Sequence, residues 1–436
     1  MVHFFFVACA IAGADAGAGA KVRVVSLKDA VRMALAQHPS LREKRATTDA
    51  KRALADQYKA PFFPQISGSA SWQRTTANWT ARPGSVPSSV SSGSSSASFD
   101  SFNYWNFGAT VTQLLWDFNQ QVGKWRAANA TADAQKATER VSEDAVVVAV
   151  RTAYFGVAAA RALIGVAQET LGNQARHLAQ VEGFVAAGTR PAIDLAQART
   201  EVANARLQLV TAENSFAVAK AQLGYAIGVE SPQSFDVENE PMPPLRGEES
   251  RLPVLVGEAI RNRPEFAVLA GQTRAGEETL RSARGGFWPT FGLSTALTEA
   301  GSDITAMAWN WNVAVTLSWP IFQGGLTRAA VREAQATLVS LAAQRDTQQI
   351  QVRFDVEQAL LAVRGAKAEL VANAEVRAAA AERLRLAEGR YAAGVGNIIE
   401  LGDAQLAVTS AAALKVQIEF RLATARVQLE KALGRQ

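Results

Sequence analysis

Between Asp303 and Arg328 the chain carries no charged side chain, and inside that run the stretch WNWNVAVTLSWPIF, Trp309–Phe322, alternates. Trp309, Trp311, Val313, Val315, Leu317 and Trp319 are separated by Asn310, Asn312, Ala314, Thr316 and Ser318, a period of two. The run exceeds the roughly 18 apolar residues that suggest a membrane helix. A helix, however, would spread the asparagines over every face, and Pro320 with the Gly324–Gly325 pair would break it. The spacing predicts a strand of about the 9 to 11 residues that cross a bilayer when tilted. A strand in lipid cannot end at an open sheet edge, where unpaired backbone groups each cost several kcal/mol. The fold must therefore supply enough similar strands to close a barrel.

Internal repetition supplies them. Pro39 in ALAQHPSL and Pro264 in AIRNRPEF lie 225 residues apart, as do Pro64 in FFPQISGSA and Pro289 in FWPTFGLST. Farther along, Gly188 and Gly394, Asp194 and Glu400, and Gly228 and Gly434 are each 206 apart. The 19-residue difference places an insertion in the first half, where SVPSSVSSGSSSAS lies. Two copies of one unit are expected, 21–228 and 255–436. Each has a short helix, two strands and a long helical hairpin; 229–254, rich in Pro and acidic residues, forms an irregular linker.

All four strands read alike. Ile66, Gly68, Ala70 and Trp72 alternate with Ser67, Ser69, Ser71 and Gln73, and Trp105, Phe107, Ala109 and Val111 alternate with Asn106, Gly108, Thr110 and Thr112. Phe291, Leu293 and Leu297 mark the first strand of the second copy. An apolar, often aromatic face opposite a small or polar uncharged one predicts lipid outside and water inside. A soluble sandwich would place Lys or Glu on its solvent face.

The rest is helical. No proline falls between Asn119 and Ala187 or after Pro320, room for helices of about 100 Å at 1.5 Å per residue. Leu195, Val202, Leu209, Phe216 and Leu223 repeat in sevens, with Ala198, Ala205, Ala212, Ala219 and Ala226 beside them. The second copy keeps Leu401, Val408, Leu422 and Leu429 with Ala404, Ala411, Ile418, Ala425 and Ala432, but puts Lys415 in the seam. Lys415 either faces a wet lumen or a seam defect, or reaches along the surface to water. Antiparallel hairpins turning at AAGTRP and AAGVGN are expected.

Composition bounds the function. The formal charge of +5 arises from 45 basic and 40 acidic residues that are interspersed, with no basic block for nucleic acid. Cys9 is the one cysteine, and His3, His38 and His177 lie far apart, so metal chemistry and His-assisted catalysis have no support and no cofactor is implied. The N-terminal MVHFFFVACAIAGADAGAGAKV predicts a signal peptide over 1–20, although no Lys or Arg precedes its apolar core. Cys9 after FVA loosely resembles a lipidation site; it also reads as a signal-peptide cysteine removed with the rest.

Four strands per chain cannot close. Two chains give eight strands and an interior filled by side chains, whereas three give twelve and an aqueous passage. The expected product is a mixed α and β membrane protein: a trimeric twelve-stranded β-barrel, four strands per chain, continued by a long α-helical coiled-coil tunnel. At this point the chain resembles the TolC family of outer-membrane efflux and secretion ducts. The resemblance covers 26–436 and rests on SLKDAVRMALAQHP, the two P(Q/T)(I/F) strand starts, SWPIFQGG, and the paired turns AAGTRPAIDLAQA and YAAGVGNIIELGDAQ.

That resemblance implies a homotrimer in outer-membrane lipid, docked to a periplasmic adaptor and an inner-membrane pump. It also implies a periplasmic gate at Glu400 and Asp403, whose i, i+3 spacing puts both on one helix face, with Tyr391 and Asp194 helping to hold the closed state. Like charges gathered at a constriction would repel each other and attract cations. Without the resemblance, the pair also fits an ordinary acidic first helical turn. Gly396 stands where the family's pattern has a basic residue; Arg190 is either its replacement or a solvated charge at the tip. The adaptor would meet the tips Gly188, Thr189, Arg190, Gly394, Val395 and Gly396, where Gly permits the positive φ of a tight turn. A coiled-coil periplasmic adaptor without a pore would explain the heptads but leave the four strands unexplained.

Overall fold

The computed structural model describes residues 23–76, 99–229, 235–238 and 242–435. The expected signal peptide, Cys9 and the Ser-rich run lie outside the described residues. In chain order the elements are β1 (Arg23–Val25), α1 (Leu27–Gln37), α2 (Pro39–Lys59), β2 (Gln65–Thr76), β3 (Ser101–Trp116), α3 (Gln120–Ala186) and α4 (Ala192–Ile227). They continue with β4 (Phe235–Val237), α5 (Leu252–Asn262), α6 (Pro264–Gly285), β5 (Thr290–Gly301), β6 (Ala308–Ser318), α7 (Leu326–Ala392) and α8 (Ile398–Leu433).

Helix ends follow the 206-residue offset. α3 and α7 each contain 67 residues, and α4 and α8 each contain 36. The long helices start after left-handed caps, Asn119 at φ 69° and Gly325 at φ 88°. At the hairpin turns Gly188 and Gly394 take φ of 73° and 80°. Each closes a Schellman motif: Thr189 N donates to Phe184 O at 3.0 Å, and Val395 N to Arg390 O at 3.1 Å. Where one short helix per copy is expected there are two, divided where Pro39 and Pro264 begin the second; the proline ring fixes φ for a first turn and lacks the N–H an interior would need. The linker is not wholly irregular either, since β4 pairs in parallel with β1 and α5 starts at Leu252.

The four long strands form one antiparallel sheet in the order β2-β3-β5-β6. Its register brings the apolar faces together. Ile66 pairs with Val111, Val111 with Thr295 and Thr295 with Val313; one pair along, Gly68, Ala109, Leu297 and Trp311 form the next row. A one-residue slip of any strand would turn its whole set to the other face. Trp72 and Trp105 meet at 6.1 Å between ring centroids, and Trp311 Nε1 donates to Thr295 Oγ1 at 2.9 Å. Trp309, Trp311, Val313, Val315 and Leu317 stand exposed on this face; Trp319 lies just past the strand, where its Nε1 donates to Phe287 O. Two features depart from the simple alternation. Glu299 shares the apolar face beside Trp309 at one end of the sheet, and Phe102 and Tyr104 are buried with Ala300 on the otherwise polar face.

Below the sheet the helices form one layer. α3 packs on α4, α2, α6 and α8, and α7 packs on α8 and α6. Among these four helices the packed pairs are therefore α4-α3, α3-α8 and α8-α7, with α4 and α7 outermost along the body of the layer, and at the turns the four helix ends close on one another. Two cores stiffen the middle of the layer. One joins Val150, Tyr154, Leu223 and Ile227 to the β1–β4 pair, whose strand ends are held by Tyr154 Oη donating to Glu238 O at 2.9 Å. The other packs Leu255 of α5 on Val356, Leu360, Leu429 and Leu433. Burying each such side chain contributes about 1.5–3 kcal/mol. The seam of α8 is buried at Leu401, Ala404, Ala411, Ile418, Leu422, Ala425, Leu429 and Ala432. Lys415 leaves that seam for the surface, where it pairs with Glu419 at 3.3 Å.

Candidate functional site

The ends of the two hairpins are joined by a cluster that neither hairpin could form alone. Val181 of α3, Ala198 of α4, Ala387 and Tyr391 of α7, and Leu401 and Ala404 of α8 form its apolar floor. On that floor sits Tyr391, 3% exposed, with its Oη donating to Asp194 Oδ2 at 3.2 Å. Asp194 is in the first turn of α4 and 6% exposed, a burial that a carboxylate tolerates only with partners. Burial pushes the Tyr391 phenol up, and the Asp194 charge and hydrogen bond push the same way against Arg190.

Arg190 bridges the hairpins. Its Nη2 donates to Tyr391 O at 2.7 Å, its Nη1 donates to Gly396 O at 3.2 Å, and its guanidinium lies 4.3 Å from the centre of the Tyr391 ring. Hydrogen bonds from a charged donor contribute about 1.5–3 kcal/mol, and a cation over a ring about 0.5–2 kcal/mol. Gly396 shows why the second turn carries no basic residue of its own. A Cβ there would lie 2.9 Å from Tyr391 N and 3.0 Å from Arg390 C, so position 396 is closed to a side chain and the turn receives a cation from Arg190 across the gap.

The expected acidic pair divides. Leu401 and Ala404 carry the packed stripe of α8, and Glu400 and Asp403 lie just off it, half-exposed and exposed. Asn397 caps this helix, its Oδ1 accepting from Glu400 N at 2.8 Å. Glu400 also meets Arg390 Nε at 3.3 Å, while Asp403 has no ion pair among the described residues. Asp194, which occupies Glu400's place in the first copy, is the buried one.

Two members of the cluster are invisible to motif reading. His177 packs edge-on against Tyr391, 5.5 Å between ring centroids, and Phe184 meets the same ring at 6.2 Å. Burial holds the His177 imidazole below its ordinary pKa, against a hydrogen bond with Gln180 and the Asp194 charge. The stripe 177, 181, 184 at helical spacing was the available signal. Arg390 becomes Glu400's partner only once the turn brings the helices together. At the tips Gly188 and Gly394 have open space where a Cβ would stand, and Val395 is exposed.

This architecture has close matches. The family model for outer membrane efflux proteins covers residues 30–229 and 255–435. The solvent efflux pump outer membrane protein SrpC of Pseudomonas putida is 28% identical over 428 residues, covering 94% of this chain and 85% of that protein. A crystal structure of a membrane protein from Pseudomonas aeruginosa superposes with a TM-score of 0.82 at 23% identity, covering 99% of this chain and 96% of that one. CusC, in a study of transmembrane channel formation, gives 0.80 at 19% identity over 96% and 95%. The sheet and layered hairpins are thus the TolC-like fold, and the chain belongs to the outer membrane efflux protein family, non-enzymatic outer-membrane channels of efflux systems.

Proposed function

We propose that three copies of this chain close one continuous duct, and that the cluster at the hairpin ends holds its periplasmic mouth narrow. The observation that carries the reading is the pair of unsatisfied edges. β2 and β6 each have one neighbour in the sheet, and α4 and α7 flank the layer with Ile193, Leu207 and Val210 on one edge and Phe354, Leu361 and Val371 exposed on the other. Edge strands in lipid must pair, and three-fold repetition joins β6 to the next β2 and α7 to the next α4. Twelve strands then enclose water.

In this reading the Trp309, Val313 and Leu317 face meets lipid, and the chain is a duplication, 21–228 and 255–436, joined through 229–254 and exported by a signal segment at 1–20. Glu400 and Asp403 form two carboxylate rings at the mouth, and Arg190, Tyr391 and Asp194 hold the hairpins of each copy together. The tips Gly188–Arg190 and Gly394–Gly396 receive a periplasmic adaptor, which couples the duct to an energised inner-membrane pump. Transport through the duct itself is passive. The test is migration of the purified outer-membrane form: a trimer that collapses to the monomer position on boiling supports the reading, and a monomer before boiling sinks it.

A further inference from the structure

We propose that His177 is a pH-sensitive positioning residue for the hairpin ends: neutral, it packs against Tyr391 and keeps the two hairpins together, and protonated, it releases them. The proposal rests on the reading that these ends form the constriction. His177 is buried on α3, the hairpin opposite the one that carries Tyr391. Its ring therefore spans the seam that must part if the mouth widens. It lines a cleft of about 760 Å³ between α3, α7 and α8, and its Nε2 has no hydrogen-bond partner among the described residues.

The groups around it make a proton unwelcome while the cluster is assembled. From α3 comes Arg176, from the first turn Arg190, from α4 Asp194, and from α7 Arg385, Glu388 and Tyr391; α8 presents Leu401, Gln405 and Thr409 and no charge. The Arg190 guanidinium already occupies a face of the Tyr391 ring, and the Asp194 carboxylate is already engaged by the Tyr391 hydroxyl. Parting the hairpins would expose the imidazole to water, where it titrates near about 6.5. The sign follows from proton counting: the open form binds more protons than the closed one, so acid favours opening and the closed form regains its advantage as pH rises. The limit is about tenfold per pH unit for each imidazole, and about a thousandfold if three act together.

Planar-bilayer recordings of the full-length protein at about pH 7.5 and about pH 5.5 test this. Wild type should gain about tenfold or more in open probability on acidification, and His177→Gln should stay at its neutral-pH level. A wild-type profile that is flat, or a His177→Gln profile that rises like wild type, overturns the proposal. If His177→Gln fails to give a heat-modifiable trimer, His177→Asn is read in its place by the same criterion. Tyr391→Phe and Arg190→Gln separate the two readings. If both leave the neutral-pH conductance unchanged, the constriction is elsewhere and both readings fall; if they raise it while His177→Gln keeps the wild-type pH profile, only the His177 proposal falls.

Discussion

Arg390 and Glu400 face each other across the second hairpin turn, Nε to Oε1 at 3.3 Å, and the first turn has no such pair. At the equivalent positions stand Phe184, which packs on Tyr391, and Asp194, which accepts the Tyr391 hydroxyl. The two hairpins, equal in helix length, are thus complementary halves: one contributes a buried acid and a bridging arginine, the other a tyrosine and an exposed ion pair. Neither half is complete, so the two hairpins are held by contacts between unlike residues.

The exposed pair contributes little to stability, about 0–1 kcal/mol, but in the proposed duct it would set the charge of the mouth. Arg390→Gln should leave the trimer intact while making the pore more cation-selective, because Glu400 then adds its full charge to that of Asp403. Reversal potentials in a KCl gradient measure this; no shift toward cations would remove Glu400 from the lumen.

The bridge should be stronger. Arg190→Lys retains the charge but not the planar fork that reaches Tyr391 O and Gly396 O together. Single-channel conductance should rise for Arg190→Lys and for Tyr391→Phe. Because both residues act on one cluster, the double variant should show less than the sum of the two effects.

Register gives a prediction within the sheet. Val313 pairs with Thr295 on the apolar face, and Asn312 pairs with Ala296 on the other. Val313→Lys places a charge in hydrocarbon at about 2–4 kcal/mol near the midplane, and Asn312→Lys places it in water. Outer-membrane yield should collapse for the first and persist for the second; equal yields would mean that the faces are assigned the wrong way round.

Most of the scaffold was legible because its signals are periodic. Two-residue alternation placed β2, β3, β5 and β6, sevenfold spacing placed the seams of α4 and α8, and the 206-residue offset placed four helix ends on glycines with positive φ. The single opening helix failed because proline at a first helical turn looks like a stop when it is also a start. The cluster was half legible. Tyr391 and Asp194 came from the family resemblance, and Arg190 was one of two readings of a tip charge, but the His177 and Phe184 contacts and the Arg390 pair depend on which helices become neighbours, a three-dimensional property that no local spacing encodes. Glu248, within the expected linker, shows the same limit. It is buried beside Arg426 at 3.1 Å and meets the half-buried Lys367 at 2.6 Å, although those partners lie more than a hundred residues away.

Glu248 also gives a pH prediction for the body of the protein. Burial pushes its carboxyl up, but hydrogen bonds from Lys367 and Arg426 outweigh that and hold it below the ordinary range. A folded-state value below the unfolded one stabilises the protein above the unfolded pKa, and the contribution disappears as pH falls through the folded pKa. Glu248→Gln should therefore lower the unfolding temperature at neutral pH and converge on wild type in acid. A deficit that persisted unchanged in acid would show that the loss is one of packing and not of charge.

The tips separate turn geometry from docking. Gly394 at φ 80° has open space where a side chain would point, so the local cost of a substitution is the left-handed backbone alone. Asn tolerates that conformation and Ile does not. If only the turn matters, Gly394→Asn should export normally and Gly394→Ile should weaken assembly. If a partner closes over the tip, Gly394→Asn should already reduce export, with the heat-modifiable trimer retained, because its side chain occupies the surface the partner needs. Drug or solvent tolerance of a complemented deletion strain, read beside trimer abundance, decides between them. Normal tolerance with Gly394→Asn and with a bulkier residue at Gly188 would place the docking surface elsewhere.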